Sequence, residues 1–158
     1  MEHKMKWRGL MVLLVCASPL VAMAQSGVNQ PPSEPYVPRL GDIMNAAQSR
    51  HMKLWFAGKS QNWELAAYEI RQLKANLMEA VSLYQGIPVT NVTTMVQPVQ
   101  SVVDAVEAKD SRKFTKAYGE LTDGCNACHQ SIGRGFIVLR VPDASPFSDQ
   151  KFTPLGKP

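Results

Sequence analysis

The sequence predicts an all-α protein, an antiparallel up-down-up-down four-helix bundle followed by an extended C-terminal tail. Between residues 40 and 135, four segments carry apolar residues at the spacing of one helix face. Residues that end or begin helices separate these segments, and the connections between them are short. Short connections favour antiparallel neighbours, which gives the bundle. The chain has 158 residues, of which 45% are apolar and 19% charged, enough for one domain with its own core.

The first 39 residues precede the bundle and fall into two parts. Residues 1–24 have a basic head, an apolar run interrupted by Pro19 and a small-residue end, which is typical of a secretory signal peptide. The apolar run falls short of the roughly 20 residues that a membrane span needs, so we expect no membrane span after signal cleavage. Residues 25–39 form a proline-rich leader without periodicity. Removal of three basic residues and one acidic residue with the signal leaves a net charge of +2, too weak to indicate nucleic-acid binding.

The first two predicted helices are delimited by residues with clear roles at helix ends. The first begins at Leu40 and is expected to end at Gly58, since glycine commonly follows the last helical turn. Asn62 can cap the second helix, and Gly86 followed by Pro88 ends it. Their apolar stripes are Leu40, Ile43, Met44, Ala47, His51, Leu54 and Trp55, and Trp63, Ala66, Ala67, Ile70, Leu73, Leu77, Val81 and Tyr84.

The third helix is expected to be shorter, because Pro98 is tolerated only in the first turn of a helix. Asp110 can cap the fourth helix, and Gly133 ends it. The two stripes are Val99, Val102, Val103 and Val106, and Phe114, Ala117, Tyr118, Leu121, Cys125, Cys128 and Ile132. Residues 136–158 contain one apolar run and many turn residues, which predicts an extended tail folded back on the bundle.

A Cys-x-x-Cys-His motif, Cys125 to His129, lies near the end of the fourth helix. Apart from Cys16 in the signal, the cysteines of this motif are the only ones in the chain. Two thiols one helical turn apart can add to the two vinyl groups at one edge of a porphyrin. The next residue can then offer its imidazole to the iron. The motif therefore predicts one covalent haem c, attached through Cys125 and Cys128, with His129 as axial iron ligand.

Two alternatives use the same cysteines. A zinc site would need Cys125, Cys128, His129 and His51, but adjacent residues rarely reach one tetrahedral metal. A disulfide or a redox-active thiol pair would suit an oxidising compartment. The helix dipole is negative late in a helix, however, and opposes the thiolate that a redox-active pair needs.

A second protein ligand for the iron would have to lie upstream, because no methionine follows His129. In an up-down-up-down bundle the end of the fourth helix lies beside the start of the first, which brings Met44 level with His129. His51 lies on the same stripe, about 10 Å further along the axis at the rise of an α-helix. Met44 is therefore the candidate sixth ligand and His51 the rival, and either could instead be an ordinary core side chain. The arginines that could pair with haem propionates are Arg50, Arg134 and Arg140.

With CxxCH on the last of four helices and an inward methionine early in the first, the sequence resembles the class II c-type cytochromes. That family includes cytochrome c-prime and the low-spin cytochromes c-556. Residues 50–69 also look like part of a group of exported proteobacterial monohaem proteins. The resemblance covers residues 40–135, and it implies that a homodimer is possible.

Carried over residue by residue, the resemblance implies thioether bonds at Cys125 and Cys128, a proximal ligand at His129 and an axial methionine at Met44. His51 has no counterpart in cytochrome c-prime, and the chain after the fourth helix is longer than is usual in the family.

The sequence thus predicts a periplasmic monohaem cytochrome of a Gram-negative bacterium, which passes electrons by Fe(III)/Fe(II) cycling to a redox partner that the sequence does not identify. One alternative is a five-coordinate protein that binds nitric oxide or carbon monoxide, and another is a haem-free helical binding module with a disulfide. No enzyme is expected, because outside the haem motif the sequence holds no nucleophile–base constellation, phosphate loop or carboxylate cluster.

Overall fold

The structure, a computed structural model, describes residues 36–156, except for the side chains of Val89 and Val92. It confirms the all-helical four-helix bundle, and no strand occurs in this part of the chain. The predicted signal peptide (1–24) and most of the leader (25–39) lie outside the described residues. The helices are α1 (Leu40–Lys59), α2 (Trp63–Leu83), α3 (Val89–Glu107) and α4 (Ser111–Ser131).

The four helices pack in chain order, α1 against α2, α2 against α3 and α3 against α4. The pair α1 and α4 makes the least extensive of the four contacts, so the bundle is more open along that side. None of the helices within residues 36–156 combines the length and the apolar character that crossing a membrane requires.

The turn between α1 and α2 differs from the prediction in one respect. Gly58 lies inside α1 and is buried, because the ring of Phe114 packs directly on its backbone and a Cβ atom there would overlap the ring. The residue with left-handed backbone conformation in this turn is Gln61, with φ of 56°. The predicted caps are confirmed. Asn62 Oδ1 accepts a hydrogen bond from the Leu65 N–H at 3.2 Å, and the Asp110 side chain caps α4 in the same way.

The prediction of a short α3 is wrong, because α3 begins at Val89 and continues through Pro98. Proline removes only one helical hydrogen bond, the one to the carbonyl of residue i−4, which here belongs to the exposed Thr94. Packing on both sides of the proline holds the helix together, since Met95 and Val99 are buried in the core. α3 also lies very close to α4 here, since a Cβ atom on Gly124 would be 2.9 Å from the Met95 sulfur.

The chain after α4 folds back on the bundle without helix or strand, as predicted. Phe152 is buried, with its ring centroid 5.5 Å from that of Phe56 on α1 and 6.0 Å from that of Phe147. The ammonium group of Lys53, also on α1, lies 4.9 Å from the centre of the Phe147 ring. The tail therefore runs from the end of α4 to the outer face of α1.

Candidate functional site

A cavity of about 480 Å³ lies between the helices, and most of its lining side chains are apolar. Its walls come from all four helices and from the first part of the tail. Its volume lies within the range of about 300–1,000 Å³ that is usual for cofactor and small-molecule sites. All the predicted thiol and iron-ligand residues contribute to the lining, namely Met44, His51, Cys125, Cys128 and His129.

Cys125 and Cys128 are half-buried free thiols in the last two turns of α4. Burial raises the pKa of the Cys125 thiol to about 12, and burial also raises the pKa of Cys128. Redox-active cysteines depend on a lowered pKa, because the thiolate is the reactive form. The surroundings of these two thiols therefore do not favour a thioredoxin-like role.

His129 has a defined hydrogen bond on one side of its ring. Its Nδ1 lies 2.8 Å from the carbonyl oxygen of Ile137 in the tail. A carbonyl oxygen can only accept, so Nδ1 carries the proton and donates it. In the neutral ring the other nitrogen, Nε2, then has a free lone pair, which is the form of imidazole that binds a metal.

Met44 and His51 differ in how free they are to act as ligands. Met44 is half-buried and lines the cavity. The His51 ring is only 2% exposed, and both its nitrogens have partners at 2.9 Å, the hydroxyl of Tyr118 at Nδ1 and that of Thr122 at Nε2. Iron binding by His51 would have to displace one of these buried hydroxyl groups, which lie 2.9 Å from the ring nitrogens. The geometry therefore favours Met44, although ligation by either residue stays a prediction.

The three arginines singled out in the sequence have different surroundings. Arg134 lines the cavity. Arg50 on α1 lies 3.2 Å from the buried carboxylate of Glu69, and Arg140 lies 3.0 Å from the carboxylate of Asp143. The structure therefore brings only Arg134 to the cavity, while Arg50 and Arg140 have carboxylate partners elsewhere.

Asn126, between the two cysteines, is a site residue that the sequence did not reveal. Its side-chain Nδ2 donates to the carbonyl of Leu139 at 2.9 Å, and its Oδ1 accepts from the N–H of Leu139 at 2.7 Å. We call this pair of hydrogen bonds the tail clamp. The apolar run 136–141 predicted an extended segment, but nothing in the sequence indicated which residue of α4 would hold it.

The zinc alternative finds no support in the geometry. Within residues 36–156, no three His, Cys, Asp or Glu side chains lie close enough together to hold a metal ion as a group. The side chains of Cys125, Cys128, His129 and His51 line one cavity but do not form the compact set that tetrahedral zinc requires.

Comparison with known proteins gives no significant match for this chain to any protein-family model, curated protein or solved structure. The resemblance to the class II c-type cytochromes accordingly stays a prediction based on the residues that carry it.

Proposed function

We propose that the protein is a monohaem c-type cytochrome that transfers single electrons. The proposal depends above all on one observation, that Cys125, Cys128, His129 and Met44 line the same apolar cavity. Two thiols, an imidazole and a thioether are soft or intermediate donors, whereas magnesium and calcium prefer oxygen ligands. A haem c would supply an iron ion that alternates between Fe(III) and Fe(II).

Each of these side chains has a distinct task in the proposal. Cys125 and Cys128 would hold the cofactor through thioether bonds, and His129 would bind the iron through Nε2. The hydrogen bond from His129 Nδ1 to Ile137 would make the imidazole a stronger donor and so would stabilise Fe(III). Met44 as second ligand would act in the opposite direction, because a thioether favours Fe(II) and raises the reduction potential.

The walls of the cavity would keep water away from the cofactor. A largely apolar surrounding lowers the local dielectric and restricts solvent, and both effects tune a reduction potential. Arg134 and Lys74 both line the cavity, and Arg134 is the one whose guanidinium could pair with a propionate through two hydrogen bonds.

The proposal includes a location and a type of partner. A signal peptide at residues 1–24 would deliver the protein to the periplasm of a Gram-negative bacterium, which is where c-type haem is attached. The partner would be another redox protein, and the chain would have no enzymatic activity of its own.

The test is production of the full chain in a host that attaches c-type haem, followed by optical spectra of the oxidised and reduced protein. We expect haem that stays bound on a denaturing gel, and its loss when both Cys125 and Cys128 are replaced by alanine. A colourless mature protein would contradict the proposal and favour a haem-free binding module.

A Met44→Ala variant tests the sixth ligand. We expect a low-spin spectrum in the unmodified protein and a high-spin spectrum in the variant. Met52→Ala is a matched control, because Met52 lies on the same helix but lines a neighbouring, smaller cavity of about 320 Å³ and not the main one. A five-coordinate ferrous spectrum that changes with carbon monoxide, in the unmodified protein, would instead indicate gas binding.

A further inference from the structure

Hydrogen bonds order the segment that follows α4 at three points, and two of these points join it directly to that helix. The N–H of Arg134 donates to the carbonyl of His129 at 2.7 Å, which reverses the chain direction at the helix end. The N–H of Ile137 donates to the carbonyl of Arg134 at 2.8 Å, which forms a tight turn. The tail clamp then holds Leu139 through both of its backbone polar groups.

These ties fix the carbonyl group that His129 needs. Ile137 lies between the turn at Arg134 and the clamped Leu139, so its peptide group has little freedom to rotate. Its carbonyl oxygen is the acceptor for His129 Nδ1, and it belongs to the same short stretch of extended chain. Loss of the clamp would free one end of this stretch and with it the acceptor.

Burial of apolar surface holds this stretch only in part. Phe136 is 78% exposed and Val138 74%, so these two side chains remain largely in water, whereas Ile137 and Leu139 line the cavity. The deeper anchor of the tail, Phe152, lies well beyond the stretch in sequence. Hydrogen bonds, and among them the two bonds of the clamp, are therefore the contacts that fix the backbone of residues 137–139 directly to α4.

We infer that Asn126 is a positioning residue for His129, the proposed iron ligand: it clamps the tail so that the Ile137 carbonyl holds His129 in the tautomer with a free Nε2. This inference rests on the proposed function for the part that concerns iron. The two side-chain hydrogen bonds of Asn126 go to the Leu139 backbone rather than to the His129 ring. Asn126 acts through the backbone of residues 137–139.

The experiment compares Asn126→Ala with Asn76→Ala in the full mature chain. Asn76 is an asparagine of α2 that does not line the cavity, so the control makes the same substitution at a helical site. We expect trypsin to cleave after Arg140 about 30-fold faster in Asn126→Ala, the factor given by two lost hydrogen bonds of typical net strength. Leu139→Pro removes one of the two bonds from the tail side and leaves α4 untouched, so it should give a smaller increase.

The second measurement follows His129 itself. In Asn126→Ala we expect the ring nitrogen signals of His129 in NMR spectra to shift towards a mixture of tautomers. We also expect the reduction potential to rise, because a weaker hydrogen bond at Nδ1 makes the imidazole a poorer donor to Fe(III). Asn76→Ala should change neither quantity.

Two results would overturn the inference. One is equal cleavage rates in Asn126→Ala and Asn76→Ala, which would mean that the clamp does not hold the tail. The other is faster cleavage with unchanged His129 signals, which would mean that the tail does not position the ring. Absence of covalent haem would count against the proposed function alone, since cleavage rates and His129 signals can be measured in the haem-free chain.

Discussion

Acidification should destabilise the protein through one buried side chain, His51. The ring is 2% exposed, and burial lowers its pKa from 6.5 to about 4. Its two partners, the hydroxyls of Tyr118 and Thr122, carry no charge that could stabilise an imidazolium. The folded protein therefore holds this ring in its neutral form at neutral pH.

The sign of the effect follows from the two pKa values. The unfolded chain protonates His51 near pH 6.5, whereas the folded protein resists protonation until about pH 4. Above pH 6.5 His51 therefore costs the folded protein no stability, and the free energy of unfolding falls as the pH drops from 6.5 to about 4. The loss in free energy of unfolding should be about 2 kcal/mol at pH 5 and about 3 kcal/mol at pH 4.

Urea unfolding of the unmodified protein and of His51→Gln at pH 7, 5 and 4 measures this contribution. Other groups titrate alike in both proteins, so the difference between their losses isolates His51. We expect the unmodified protein to lose about 2 kcal/mol more than the variant between pH 7 and pH 5.

Equal losses in the two proteins would refute the expectation that burial disfavours the charged form of His51. The hydrogen bonds around the ring indicate how that could happen. Tyr118 donates its hydroxyl proton to the carbonyl of His51 at 2.8 Å, and Thr122 donates its own to the carbonyl of Tyr118 at 2.9 Å. Both hydroxyl oxygens can then only accept a hydrogen bond from the ring. A charged ring has two N–H groups and can donate to both hydroxyls, whereas a neutral ring has one N–H and can donate to only one. Equal losses would mean that this extra hydrogen bond offsets the cost of burying the charged ring.

Two further predictions concern packing. Gly58→Ala should lower the free energy of unfolding by about 2 kcal/mol, because the new methyl group would overlap the fully buried Phe114 ring. Gly119→Ala is the control, because a methyl group there meets open space in the middle of α4, and it should raise the free energy of unfolding by up to about 1 kcal/mol. Urea unfolding measures both variants, and similar effects in the two would argue against the close contact at Gly58. Phe152→Ala should speed proteolysis of the tail and leave the helical circular dichroism unchanged, since this ring anchors the tail on α1; a parallel loss of helicity would show instead that the ring supports the whole bundle.

The parts of the fold that the sequence predicted are those governed by neighbouring residues. Asn62 and Asp110 cap the helices that follow them because the capping atom and the backbone N–H are only two or three residues apart. The helical spacing likewise predicted that Cys125 and Cys128 would share one face of α4. The order of the helices likewise led us to expect Met44 near His129, and both line the same cavity.

The errors came from residues whose conformation depends on distant partners. Pro98 was expected near a helix start, yet core packing of Met95 and Val99 outweighs the one hydrogen bond that proline removes. Gly58 was interpreted as a helix stop, whereas its role is to let the Phe114 ring approach the backbone of α1.

The hydrogen bond from His129 to Ile137 could not be predicted for a related reason. It depends on a backbone carbonyl, and every residue of the tail offers one. Spacing in the sequence therefore cannot select among them, and only the folded tail determines which carbonyl the ring meets.

The Ile137 carbonyl lies after α4 in the chain, which bears on the order in which the parts of the molecule can fold. The four helices of the described part of the chain precede residue 134, so a polypeptide that emerges from its N-terminus can assemble the bundle before residues 134–139 follow. The hydrogen bond between His129 and the Ile137 carbonyl then forms late, after the helices have enclosed the cavity.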